Sequence, residues 1–194
     1  MSKYYYHGTD KLSFYKILET GEIKCRRLIE EENIQINRTV ESIFAAGANG
    51  YEYISVCNKN NYFDENDAFN VFIINSYCFI ISDEVDAVKT INITEDGNHD
   101  KYRKEYRKFL LDNSNSDLRF SIMPDEYHVK TSIPLDKIIG IGFPFKRTSK
   151  KEIEYLFNLS YQLNLAVVDT GDPLFIEDYE SNRNKIEKIK ELLY

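Results

Sequence analysis

YYYHGTDKLSFYKILETG, residues 4–21, is the stretch on which the fold turns. Three tyrosines favour extended backbone, and Gly8 ends the run. Leu12, Tyr15 and Leu18 then recur every third residue, with Phe14 and Ile17 widening the apolar stripe. Thr9 or Asp10 can cap the helix start, and Gly21 stands where a helix end favours positive φ. A strand therefore turns directly into an amphipathic helix. One of only three histidines, His7, sits at the joint.

The rest of the chain is read outward from that unit. EIKCRRLIEE (22–31) reads as a short extended piece or turn, and residues 33–50 stay ambiguous up to the turn-rich Gly47–Gly50. YEYISVCN (51–58) is a strand with Tyr51, Tyr53 and Ser55 on one face and Ile54 and Val56 on the other. AFNVFIINSYCFIIS (68–82) reads as one or two buried strands around a turn at Asn75–Ser76. DKYRKEYRKFLLD (100–112) is a helix; EYHVKTSI (126–133) and KIIGIGF (137–143) are strands hinged at Pro134. KKEIEYLFNLSYQLN (150–164) is a helix, LAVVDT (165–170) a strand, and residues 180–194 a closing helix. Strands dominate the middle and helices flank them, so the expected class is α+β in one domain, residues 1–194.

Composition narrows the function. Lys and Arg total 25 against 32 Asp and Glu, a net charge of -7, which opposes broad attraction to nucleic acid. No apolar run is long enough for a membrane span, and the first residues lack a signal-peptide core, so a cytoplasmic protein, or one delivered into a target cell's cytosol, is expected. Cys25, Cys57 and Cys78 are odd in number and widely spaced, which suits idle buried thiols. Abundant Asn, Lys, Ile and Tyr fit an A-T-rich bacterial or phage genome.

Common phosphate-loop, dinucleotide-loop and serine-elbow motifs are absent. DEYH gathers Asp125, Glu126 and His128, but Asp125 and Glu126 point to opposite faces of a strand, and no metal site is expected. Two stretches remain. In YHGT, Gly8 lets backbone approach a ligand, so its amide and carbonyl can grip a planar carboxamide while the His7 imidazole and Thr9 hydroxyl address a sugar. The plain alternative is a strand end with a helix cap. In EYHVK, alternation sets Glu126, His128 and Lys130 on one face; the plain alternative is an edge strand with a solvated face.

In that order along the chain, YHGT and EYHV resemble the His–Tyr–Glu branch of the ADP-ribosyltransferase superfamily, which includes the poly-ADP-ribose polymerases and diphtheria-type toxins. YHGT followed by ILETGEI, and HVKTSIPLDKIIGI, also resemble DarT-type DNA ADP-ribosyltransferases. The resemblance covers scattered anchors over residues 4–142. It implies split central β-sheets flanked by helices, and NAD as the cofactor-substrate. It implies that Gly8 pairs the nicotinamide carboxamide and that His7 bonds the adenosine-side ribose, with Thr9 helping to fix that end. Tyr53 or Ser55 is the matching residue of the middle strand. Tyr53 or Tyr62 stacks on nicotinamide (Phe63 is a neighbour of the same kind), Arg38 takes the family's Arg position or forms a structural salt bridge, and Glu126 is catalytic.

The implied activity is transfer of ADP-ribose from NAD to a macromolecular acceptor with nicotinamide release, as in a toxin, effector or defence protein with a possible antitoxin or immunity partner. The negative charge favours a protein acceptor over nucleic acid, although Lys101–Lys108 and Phe145–Lys151 are basic clusters. The alternatives are an NAD glycohydrolase on the same fold, an RNA 2′-phosphotransferase, which few histidines disfavour, and a non-catalytic NAD or ADP-ribose-binding module.

Overall fold

Tyr77–Ile81 contains no exposed residue, and a run buried on both faces belongs in the middle of a sheet. The computed structural model, which describes residues 4–34, 52–58, 76–92, 120–121 and 126–171, places it there. The strands of the main sheet are β1 (Tyr4–Thr9), β3 (Tyr53–Asn58), β4 (Tyr77–Ser82), β5 (Ala87–Lys89), β8 (Glu126–Lys130), β10 (Ile138–Phe143) and β11 (Ala166–Asp169). Their order is β11-β10-β4-β1-β3-β8-β5. Every pair is antiparallel except β10–β11. Two small sheets join β2 (Glu22–Lys24) to β9 (Ser132–Pro134), and β6 (Ile91–Asn92) to β7 (Phe120–Ser121). The helices are α1 (Lys11–Thr20), α2 (Arg26–Glu31) and α3 (Lys150–Gln162). The class is α+β, with a large, mostly antiparallel sheet and few helices.

The strand-to-helix joint forms as the sequence dictates. Asp10, not Thr9, caps α1: its Oδ1 accepts from the amides of Leu12 (2.9 Å) and Ser13 (3.1 Å). Gly21 ends the helix at φ 73° and donates to the Ile17 carbonyl. The stripe differs in one residue. Leu12 is 60% exposed and Phe14 fully buried. Residues two apart lie about 200° apart around a helix, so both cannot face the sheet. Phe14 wins because its ring stacks on Phe79 at 4.9 Å and meets Tyr77 at 5.0 Å.

Two further expectations are corrected. Residues 22–31 are not merely extended or a turn: β2 leads into α2, whose Arg26–Glu30 and Arg27–Glu31 pairs one turn apart support a helix. The chain does turn after Pro134, between β9 and β10, but the stretch 126–133 is itself not one strand: it breaks at Thr131. Thr131 sits at φ 72°, unfavourable for a β-branched residue. Backbone bonds from Thr131 to Glu52 (2.9 Å) and from Cys25 to Thr131 (2.8 Å) hold it there, and the chain passes from β8 in the main sheet to β9 in the small one. Residues 68–75 and the expected helices at 100–112 and 180–194 lie outside the described residues.

The sheet buries both faces. Phe14 of α1 and Leu156 and Phe157 of α3 pack on one side against Tyr5, Val56, Phe79 and Ile141. Tyr6, Cys57, Cys78, Ile80 and Val168 cluster on the other. All three cysteines are buried thiols outside any disulfide; burial pushes the Cys78 thiol up to about 12, so it is inert at neutral pH.

Glu152, at the start of α3, ties both long helices to β4. It accepts from Lys11 Nζ (2.7 Å), Tyr15 OH (2.7 Å) and Tyr77 OH (3.1 Å). Burial alone would raise its pKa, but these three donors outweigh it and hold the carboxyl below its usual range. A depressed carboxyl contributes stability above the unfolded-state value of about 4.3, and that stability is lost as pH falls through the folded value. Glu152→Ala is expected to lower unfolding free energy by about 2 kcal/mol at pH 7, since a charged acceptor leaves two hydroxyls unpaired. The deficit should shrink below about pH 4; denaturant melts at both pH values check it.

Candidate active site at a fork in the sheet

β1 pairs with β4 along its whole length, from Tyr4–Ser82 to Thr9–Tyr77. With β3 it pairs only at Tyr5–Asn58 and Tyr6–Cys57. β3 meanwhile stays paired to β8 from Cys57–Glu126 to Tyr53–Lys130. Past Tyr6 and Cys57 the two central strands therefore part, and the sheet forks. One prong ends in His7, Gly8 and Thr9. The other carries Ser55 and Tyr53, with His128 and Lys130 behind them.

His7 holds the fork. Its Nδ1 donates to the Ser55 carbonyl at 2.9 Å. A carbonyl only accepts, so Nδ1 bears the hydrogen and the neutral ring keeps its lone pair on Nε2. Burial lowers the His7 pKa, against the opposing pull of the Ser55 carbonyl, so the ring is neutral at pH 7. The Tyr6–Cys57 register, if continued, would set Gly8 opposite Ser55, but no ladder pair forms there. Because the Ser55 carbonyl faces β1, antiparallel alternation turns the Gly8 amide and carbonyl toward the fork. Gly8 is exposed and has no side chain to block an approach to them.

Glu126 opens β8. Its carbonyl accepts from the Thr90 amide (3.1 Å) and hydroxyl (2.7 Å), which anchors the backbone. The residue is 5% exposed, and His128 Nε2 lies 3.3 Å from Oε1. The Tyr53 ring stacks on His128, with centroids 5.8 Å apart and planes at 25°. β8 lies between β3 and β5 and so is an interior strand; the solvated-edge reading of Glu126 does not hold.

The structure thus places Tyr53, Ser55, Glu126 and His128 on one face of the sheet, the face alternation also gives to Tyr6 and Gly8. His7 alternates to the opposite face but reaches sideways between the strands. Thr9 is half-buried at the end of β1, paired with Tyr77. Arg38, Tyr62 and Phe63 lie outside the described residues, as does the basic stretch Lys101–Lys108. Of the second basic stretch, Lys146, Arg147, Lys150 and Lys151 are exposed where β10 leads into α3. Thr90 carried no signal in the sequence. His128 did: a residue two from Glu126 on a strand must share its face.

Among the described residues no three His, Cys, Asp or Glu side chains gather in a way that could hold a metal ion, and no helix is long and apolar enough to cross a membrane. No protein-family model matches the chain, and no curated protein matches its sequence.

Proposed function

We propose that this chain is an NAD-dependent ADP-ribosyltransferase with a split-sheet ADP-ribosyltransferase-like fold, transferring ADP-ribose to a macromolecular acceptor. The observation that carries this reading is the fork. It turns a glycine backbone amide and carbonyl toward a gap on one prong and holds a buried carboxylate beyond the other. Gly8 and Glu126 stand two strands and two residues apart, about 12 Å, which a nicotinamide nucleoside can bridge and a bare nicotinamide cannot.

Each residue has a task that its geometry permits. Gly8 offers donor and acceptor to the planar carboxamide. His7 Nε2 accepts from a ribose hydroxyl, because Nδ1 is committed to Ser55. Tyr53 supplies an aromatic face beside the ribose site. Cleavage of the glycosidic bond builds positive charge on the ribose, and Glu126 is the carboxylate that stabilises it. The overall charge of -7 favours a protein acceptor.

The purified chain should bind NAD and release nicotinamide, read by calorimetry and chromatography; neither binding nor release would remove this reading. His7→Ala should weaken NAD binding by about tenfold, the worth of one hydrogen bond. Unchanged affinity in that variant would leave His7 as a brace between two strands and nothing more.

A further inference from the structure

His128 is a buried polar side chain for which the chemistry above has no use. It is 5% exposed, on the face of β8 that carries Glu126. Nε2 faces Glu126 Oε1 at 3.3 Å, and Tyr53 covers the ring. The other ring nitrogen, Nδ1, is buried and has no hydrogen-bond partner among the described residues. The carbonyl of Ser55, its register partner, is turned away toward His7.

A carboxylate only accepts, so the neutral ring puts its hydrogen on Nε2 and its lone pair on Nδ1. Native structures rarely leave a buried lone pair without a donor. The Nδ1 lone pair can therefore accept from an O–H or N–H of a molecule, water included, seated in the site. A carboxylate that fixes an imidazole in this tautomer prepares it to take a proton. The other titratable groups on this face among the described residues include Tyr4 and Tyr6 of β1, Tyr53 and Cys57 of β3, Cys78 of β4, and Glu126 and Lys130 of β8, while β5 sets Val88 opposite His128.

Building on the NAD reading, we propose that His128 is the general base of the transfer, its Nδ1 receiving the proton of the attacking group. The bond between ribose and nicotinamide breaks, and its electron pair leaves with nicotinamide, which departs neutral. A bond forms from the anomeric carbon to the acceptor's oxygen or nitrogen, or to the oxygen of water. The proton lost by that atom moves to Nδ1. The imidazolium donates from Nε2 to Glu126 and later returns the proton to solvent.

The test uses the whole chain with NAD near neutral pH and water as acceptor. His128→Gln sets an amide nitrogen where Nε2 stood and still holds Glu126; His128→Asn sets an amide at Nδ1. Neither takes a proton. Both should keep NAD affinity within about threefold and lose about 10²-fold in nicotinamide release. Azide, a nucleophile with no proton to lose, should restore release in both. Wild-type turnover in the Gln variant overturns the proposal, because His128 then only positions Glu126. Wild-type turnover in the Asn variant overturns it too, because Nδ1 then only accepts a hydrogen bond. Failure of azide to restore either variant also counts against it. A wild-type chain inert toward NAD overturns the NAD reading and this proposal together; an active one with an active variant overturns this proposal alone.

Discussion

Glu126→Gln is expected to cut nicotinamide release from NAD by about 10²- to 10³-fold while leaving NAD affinity within a few-fold of wild type. The substitution keeps the shape and removes the charge. Gln still has an oxygen to accept from His128 Nε2, and the Thr90 bonds go to the backbone carbonyl, so position is retained. What disappears is a negative charge beside a carbon that becomes positive only in the transition state, so the rate falls and ground-state binding does not. Burial magnifies the effect, because a carboxylate held away from water acts through a lower dielectric. Equal rates for the two proteins would falsify the catalytic role of Glu126. A parallel melt should show little change, which separates lost chemistry from lost fold. Paired with His7→Ala, the two variants should split cleanly, one in affinity and the other in turnover.

Gly142→Ala should be the most damaging single-methyl change outside the site. Gly142 lies on β10 beside Cys78 of β4 and Val168 of β11. A Cβ there would stand 2.6 Å from Cys78 Sγ, 2.8 Å from Thr170 Cγ2 and 3.1 Å from Val168 Cγ2. All three neighbours are buried, so none can swing into solvent. Overpacking of this kind costs about 3 kcal/mol, roughly a 10 °C fall in Tm for a domain of this size. Removing the closest obstacle should return part of the loss: Gly142→Ala with Cys78→Ala is expected to melt above the sum of the two single changes. Strict additivity would show that the sheet relaxes elsewhere.

Local patterns were legible because they depend on neighbours in sequence. Asp10 and Gly21 bracket a helix whether or not a sheet lies beneath it. Alternation alone put Glu126 and His128 on one face, and Ile54 and Val56 on the face away from Tyr53 and Ser55. Thr131 was not legible, since β-branched residues ordinarily extend a strand; only backbone bonds to Glu52 and Cys25, from distant parts of the chain, hold it at positive φ. Leu12 was misplaced because a stripe read at every third residue does not say which flank the sheet will cover.

By itself the sequence determined the β1–α1 joint, the α+β class and the succession of strands that brings YHGT and EYHV into one chain order. Tertiary structure decided that β1 and β3 pair for two residues and then part, that the Ser55 carbonyl bonds an imidazole rather than completing a ladder, and that β8 lies inside the sheet. Those outcomes turn on which strands become neighbours and where their pairing stops. A long-range hydrogen bond such as His7 to Ser55, forty-eight residues apart, leaves no periodic trace in the residues between.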